Sequence, residues 1–166
     1  STRTSVEIEF LENNTKLKMK KHPQAYPLQT KIAFLERADK TARAYSPLIK
    51  QVSVSYSDVV QDILLVSSQG VYTQDQRVRS RFVVNCIAQK DDIVQTGFEG
   101  PGIFGGMEIF DEFSPEDVAT SGAKRAVTML EAKHAPKGKQ MVVLSGEAGG
   151  TLVHEACGHG LEADFI

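Results

Sequence analysis

Val52, Val54 and Tyr56 alternate with Ser53, Ser55 and Ser57, and this period of two limits the fold more than any other feature of the chain. Successive side chains of a strand point to opposite faces, so the pattern describes a sheet with one apolar and one polar face. Only an antiparallel sheet commonly leaves one face in water. The spacing predicts a second strand from Val59 to Val66, the turn Ser67-Ser68-Gln69-Gly70, and a long segment from Val71 to Gln89. Lys90-Asp91-Asp92 then turns the chain into Ile93 to Phe98. In the long segment Arg77, Arg79 and Arg81 share one face, and Val78, Phe82 and Val84 the other. The arginines could grip a substrate carboxylate, but a solvated face or intersubunit ion pairs explain them more simply.

Helices flank this sheet. Ile32, Leu35, Ala38, Ala42 and Tyr45 recur at helical spacing between Thr30 and Tyr45, and Ser46-Pro47 stops the run. Ser114-Pro115-Glu116-Asp117 supplies a cap, a proline at the first position and acids in the first turn. The helix it opens should reach about Glu131, before Pro136-Lys137-Gly138. A strand from Gln140 to Leu144 and a glycine turn, Gly146 to Thr151, should lead into a last helix. Gly100-Pro101-Gly102-Ile103-Phe104-Gly105 matches G-x-G-x-x-G. Pro101 removes an N–H and no parallel strand–helix unit surrounds it, so a flexible loop is the better reading. The fold class expected is α+β: an antiparallel β-sheet flanked by helices, ending in a metal-motif helix.

Residues 1–29 read as a tail or linker. Val6, Ile8 and Phe10 alternate, Lys16, Lys18, Lys20 and Lys21 form a basic run, and Pro23 and Pro27 break the chain. Residues 30–166 form the middle α+β region. The 166 residues can hold one good core and a partial second unit. A net charge of −2 leaves no basic footprint for nucleic acid. Cys86 and Cys157 are too few for a disulfide framework and suit a reducing compartment. No apolar run has the length of a membrane span, and the N-terminus has no signal-peptide pattern. The chain starts without methionine and stops just past its most distinctive motif, so a fragment is expected.

That motif is His154-Glu155-Ala156-Cys157-Gly158-His159. Two imidazoles and a carboxylate are the ligand and base set of a zinc hydrolase, whose familiar form is His-Glu-x-x-His. Here the second histidine comes one residue later. At about 100° per residue, four positions leave two side chains roughly 40° apart and five leave them roughly 140° apart. A π-bulge, which resets the repeat to five, or a kink at Gly158 would bring the imidazoles together. His154 and His159 would then be the metal ligands and Glu155 the general base. The plain alternative makes both histidines ordinary half-buried helix residues. A catalytic zinc also needs a third protein ligand. Cys157, Glu162, Asp164, Cys86, His22 and His134 are the candidates in the chain. Cys157 suits a small buried packing role better, and Glu162 and Asp164 suit partners or N–H acceptors of the ligands.

Gly149-Gly150-Thr151-Leu152-Val153 running into His154 through Asp164 resembles the signature of the TldD/PmbA peptidase family, once labelled modulators of DNA gyrase. The Lys31–Arg43 helix, the Ser-Val-Ser-Tyr-Ser strand and the Ser114-Pro115-Glu116-Asp117 helix start resemble its middle region. The likeness runs from about residue 28 onward and is nearer the TldD branch, since the PmbA-like branch lacks the metal motif. It implies that His154 and His159 bind Zn2+ and that Glu155 is the catalytic base. It implies a third ligand, a cysteine of a C-terminal domain, with no counterpart here. Family members are roughly three times this length and form homo- or hetero-oligomers with a PmbA/TldE-like subunit in the cytoplasm. They cleave unfolded or leader peptides through a zinc-bound water, holding the substrate extended as an added strand. Neither nucleic acid nor membrane is an expected partner. The isolated fragment is expected to be inactive, and the rival reading is a non-catalytic binding or assembly module.

Overall fold

A computed structural model of the chain describes residues 9–10 and 19–164. Val6, Ile8, Lys16 and Lys18 lie outside the described residues. Two compact units emerge, Ser1–Ala132 and Lys133–Ile166.

The first unit is built on a long hairpin. β2 (Ile49–Val66) and β3 (Val71–Lys90) pair antiparallel from Ile49 opposite Ala88 to Val66 opposite Tyr72. The break expected between Tyr56 and Val59 does not occur. Ser57 and Asp58 pair in register with Arg81 and Ser80, and neither has the positive φ of a tight turn. Asp58, a poor strand former, is held by Lys31 Nζ at 2.7 Å. β4 (Ile93–Glu99) pairs antiparallel with the other edge of β3. Their link is the two-residue turn Asp91-Asp92, where Asp91 adopts φ 53, a left-handed backbone that aspartate tolerates.

β5 (Gly102–Ile103) continues along the same edge against Ser80 and Arg81, and β1 (Glu9–Phe10) pairs parallel with Val71 and Tyr72. The sheet is antiparallel apart from that two-residue β1. The flexible loop expected at Gly100–Gly105 is thus part of the sheet edge. The Pro101 carbonyl accepts from Phe82 N at 3.0 Å, and Gly105 O accepts from Ser80 Oγ at 2.9 Å.

The period of two decides burial along β3. Val78, Ser80, Phe82, Val84, Cys86 and Ala88 face the core, while Arg77, Arg79 and Arg81 are exposed. Arg79 lies over the Phe104 ring and Arg77 sits 3.6 Å from Asp75, as a solvated sheet face would have them. α1 (Leu28–Tyr45) and α3 (Pro115–Met129) cover the apolar face with small residues. Ala38 and Ala42 of α1, and Ala119, Ala123 and Ala126 of α3, are fully buried. Gly97 of β4 completes this close fit, since a Cβ there would collide with the backbone of Gly122 and Ala126. α2 (Ile109–Glu112), which no periodicity announces, contributes Phe110. Its ring stacks on Phe34 at 4.0 Å and meets Phe82 edge-on at 5.2 Å. Ser114 Oγ caps α3 by accepting from Asp117 N at 3.0 Å.

The second unit is different in kind. Gln140–Leu144 forms no strand, and Met141 and Val143 are 97% and 94% exposed. β-propensity alone does not make a strand, which needs a neighbour for its N–H and C=O groups. The expected glycine turn is α4 (Gly146–Val153), opened by Ser145 O accepting from Gly149 N at 2.7 Å. Its glycines cost roughly 1 kcal/mol each against alanine, which is why the segment reads as a turn. A π-helical turn, His154–Gly158, and a 3-10 turn, His159–Leu161, follow without interruption. Among the described residues, no helix is long and apolar enough to cross a membrane.

Candidate metal centre

The five-residue histidine spacing is accommodated by a local change of helix type. From His154 to Gly158 the backbone is π-helical, and His159 N–H donates to His154 O in the i→i+5 pattern. That extra residue per turn brings the rings of His154 and His159 to 4.6 Å between centroids, at 67° to one another. A regular α-helix would have turned them apart. Gly158 makes room for the arrangement, because a Cβ there would stand 3.1 Å from His154 Nδ1.

The carboxylates gather on His159. Glu155 Oε2 is 3.4 Å from its Nε2, and Glu162 Oε1 is 2.7 Å from its Nδ1. The 3-10 turn places Glu162, since residues three apart eclipse in that geometry, and Glu162 N–H donates to His159 O at 3.3 Å. One ligating atom from each of His154, His159 and Glu162 lies within 4.8 Å of the others. Imidazole nitrogen and carboxylate oxygen are donors that zinc takes, so the residues present fit a zinc ion in chemistry. Both histidines are exposed rather than half-buried.

The other candidates lie elsewhere. Cys157 is exposed, not a buried packing residue, and no described residue of its own unit is buried. Cys86 is buried on β3, where burial pushes its thiol pKa up, as suits a packing residue. His22 Nδ1 accepts from Gln24 N at the start of the 3-10 turn Pro23–Ala25. Asp164 and His134 are exposed and outside the ligand group. Glu162 was legible in the sequence as a partner or N–H acceptor of the ligands, but its choice of His159 was not, because that depends on the 3-10 turn.

Comparison with known proteins agrees with the fold. A profile of the PmbA/TldA metallopeptidase central domain matches residues 21–130. A metalloprotease of Methanocaldococcus jannaschii is 38% identical over 118 residues, covering 71% of this chain and 26% of that protein. A TldD homolog of Haemophilus influenzae, also a metalloprotease, is 33% identical over 142 residues, 82% of this chain and 30% of its own length. The chain thus spans less than a third of these relatives. A crystal structure described as a modulator of a DNA gyrase, from Thermotoga maritima, superposes with a TM-score of 0.63 at 19% identity. The superposition covers 82% of this chain and 30% of that one, and supports the fold.

Proposed function

This chain belongs to the TldD/PmbA metallopeptidase family, and we propose that it carries the central domain of a zinc peptidase together with the helix that binds the metal. The observation that carries this reading is the π turn, which sets two imidazoles face to edge with Glu155 beside them. His154 and His159 would hold the ion. A zinc ion supplies Lewis acidity to a peptide carbonyl and makes a nearby water easier to deprotonate.

Glu155 is the group placed to move the proton. Its carboxylate lies beside His159 Nε2 and is more than half exposed, so a water can reach Oε2 and transfer a proton to it. The same oxygen then returns the proton to the leaving amine nitrogen, with no covalent intermediate. In this reading the third ligand is a cysteine supplied by a further part of the protein, consistent with the chain's share of its relatives' length. The substrate would be an unfolded or leader peptide bound in extended form, and the partner a PmbA/TldE-like subunit. Residues 1–29 would link to a preceding domain, and residues 30–166 would form the middle region.

The test separates ligand from base in the whole protein. Glu155→Ala should keep stoichiometric zinc and lose peptide cleavage by at least about 100-fold, whereas His159→Ala should lose the metal. Unchanged turnover by Glu155→Ala removes the base assignment. A wild-type protein without stoichiometric zinc favours a non-catalytic binding or assembly module.

A further inference from the structure

We infer that Glu162 is a positioning residue for His159 rather than the third metal ligand. The inference rests on the zinc-site reading and adds which nitrogen of His159 faces the ion. Two carboxylates approach the two nitrogens of this ring. Glu162 Oε1 lies 2.7 Å from Nδ1 and Glu155 Oε2 lies 3.4 Å from Nε2. The shorter contact has charge-assisted hydrogen-bond length and the longer does not. A carboxylate only accepts, so the proton of that bond sits on His159 Nδ1. In the neutral ring the lone pair is then on Nε2, on the side where Glu155 lies.

Distance also argues against ligation by Glu162. Two donors sharing one tetrahedral zinc at about 2.0–2.1 Å stand roughly 3.3 Å apart. The 2.7 Å separation of Nδ1 and Oε1 is shorter than that and leaves space for a proton only. Backbone geometry makes the pair local and self-contained. His159 opens the 3-10 turn and Glu162 closes it in extended conformation, φ −73 and ψ 140. A carboxylate on the far nitrogen of a ligating histidine fixes its tautomer and ring angle and raises its basicity.

The experiment is zinc affinity and the ligand-field spectrum of the Co2+-substituted whole protein, for wild type, Glu162→Ala and Glu162→Gln. The expected result is a roughly 10- to 100-fold loss of zinc affinity in Glu162→Ala. Glu162→Gln, whose amide oxygen can still accept from Nδ1, should recover most of it. Both variants should keep the wild-type Co2+ band positions, since the ligand set is unchanged. Shifted bands in both variants would make Glu162 a ligand and overturn the proposal. Wild-type affinity in Glu162→Ala would overturn it as well, leaving the zinc site itself intact. A wild type that binds neither metal would remove the site and this role together.

Discussion

Single residues decide whether the motif can work. The π turn needs an extra residue accommodated without a side chain against His154, and Gly158 meets that need. A Cβ at 3.1 Å from His154 Nδ1 is tighter than ordinary van der Waals contact, so in Gly158→Ala the His154 ring must shift by a few tenths of an ångström. Residue 158 lies within a segment of αR backbone, with φ −62 and ψ −50, so alanine is not strained by the backbone itself. The cost therefore falls on the imidazole rather than on the fold. Gly158→Ala is expected to weaken zinc binding at least about 10-fold, the scale on which misoriented histidine ligands act, with an unchanged thermal midpoint for the first unit. Titration against a chromophoric chelator reads the first and a melting curve the second. Wild-type affinity in this variant would show that His154 does not depend on the ring position described.

At the scale of elements, the segment ahead of α1 is secured by the turn that leads into α2. Glu108, the residue before α2, accepts from Lys20 N at 3.2 Å and from Lys21 N at 3.1 Å, while Met107 N donates to Lys21 O at 2.8 Å. Burial pushes the Glu108 pKa up, but its own N–H and those of Lys20, Gly106 and Lys21 outweigh burial and hold it below the usual carboxylate range. A depressed carboxylate stabilises above its unfolded value and loses that contribution as pH falls through its folded value. Protection of the Lys20 and Lys21 amides in hydrogen exchange should therefore fall as pH drops below about 4.5. Glu108→Gln should flatten that dependence, and an unchanged pH profile in the variant would sink the assignment. None of this contact was legible in the sequence, where residues 1–29 read only as tail. Long-range pairing between Lys21 and Glu108 leaves no periodic trace. What was legible follows from local rules: alternation along β3, the cap at Ser114, and the need for either a π turn or a kink at Gly158 between His154 and His159. Tyr56 to Val59 read as a break because Ser57-Asp58 resembles a turn, and only its pairing with Ser80 and Arg81 and the Lys31 ion pair make it strand. Gln140–Leu144 failed in the opposite way, having a strand's composition and no neighbour.

For the molecule as a whole, the two units differ in what holds them. The first has a continuous core of sheet and helices, with Phe82, Val84, Cys86 and Ala88 packed under Ala38, Ala42 and Ala123. The second is shorter than the roughly 40 residues that usually fold without metal, disulfide or partner. Among its described residues none is buried, and its helix carries three glycines. The donors proposed for the metal are also few. His154 and His159 are two imidazoles, and the Glu162 carboxylate is engaged by His159 Nδ1. Catalytic zinc sites use three protein ligands and an open position, so two imidazoles alone give weak, readily competed binding. We therefore expect the chain of residues 1–166 alone to melt cooperatively through its first unit, to bind zinc weakly and to cleave no peptide. Circular dichroism would register the melt, equilibrium dialysis the zinc, and an unfolded fluorogenic peptide the activity. A cooperative melt of the first unit would distinguish an incomplete site from an unfolded protein. Robust cleavage by residues 1–166 that a chelator abolishes would show that the site is complete within this chain, and the ligand proposed from outside it would fall.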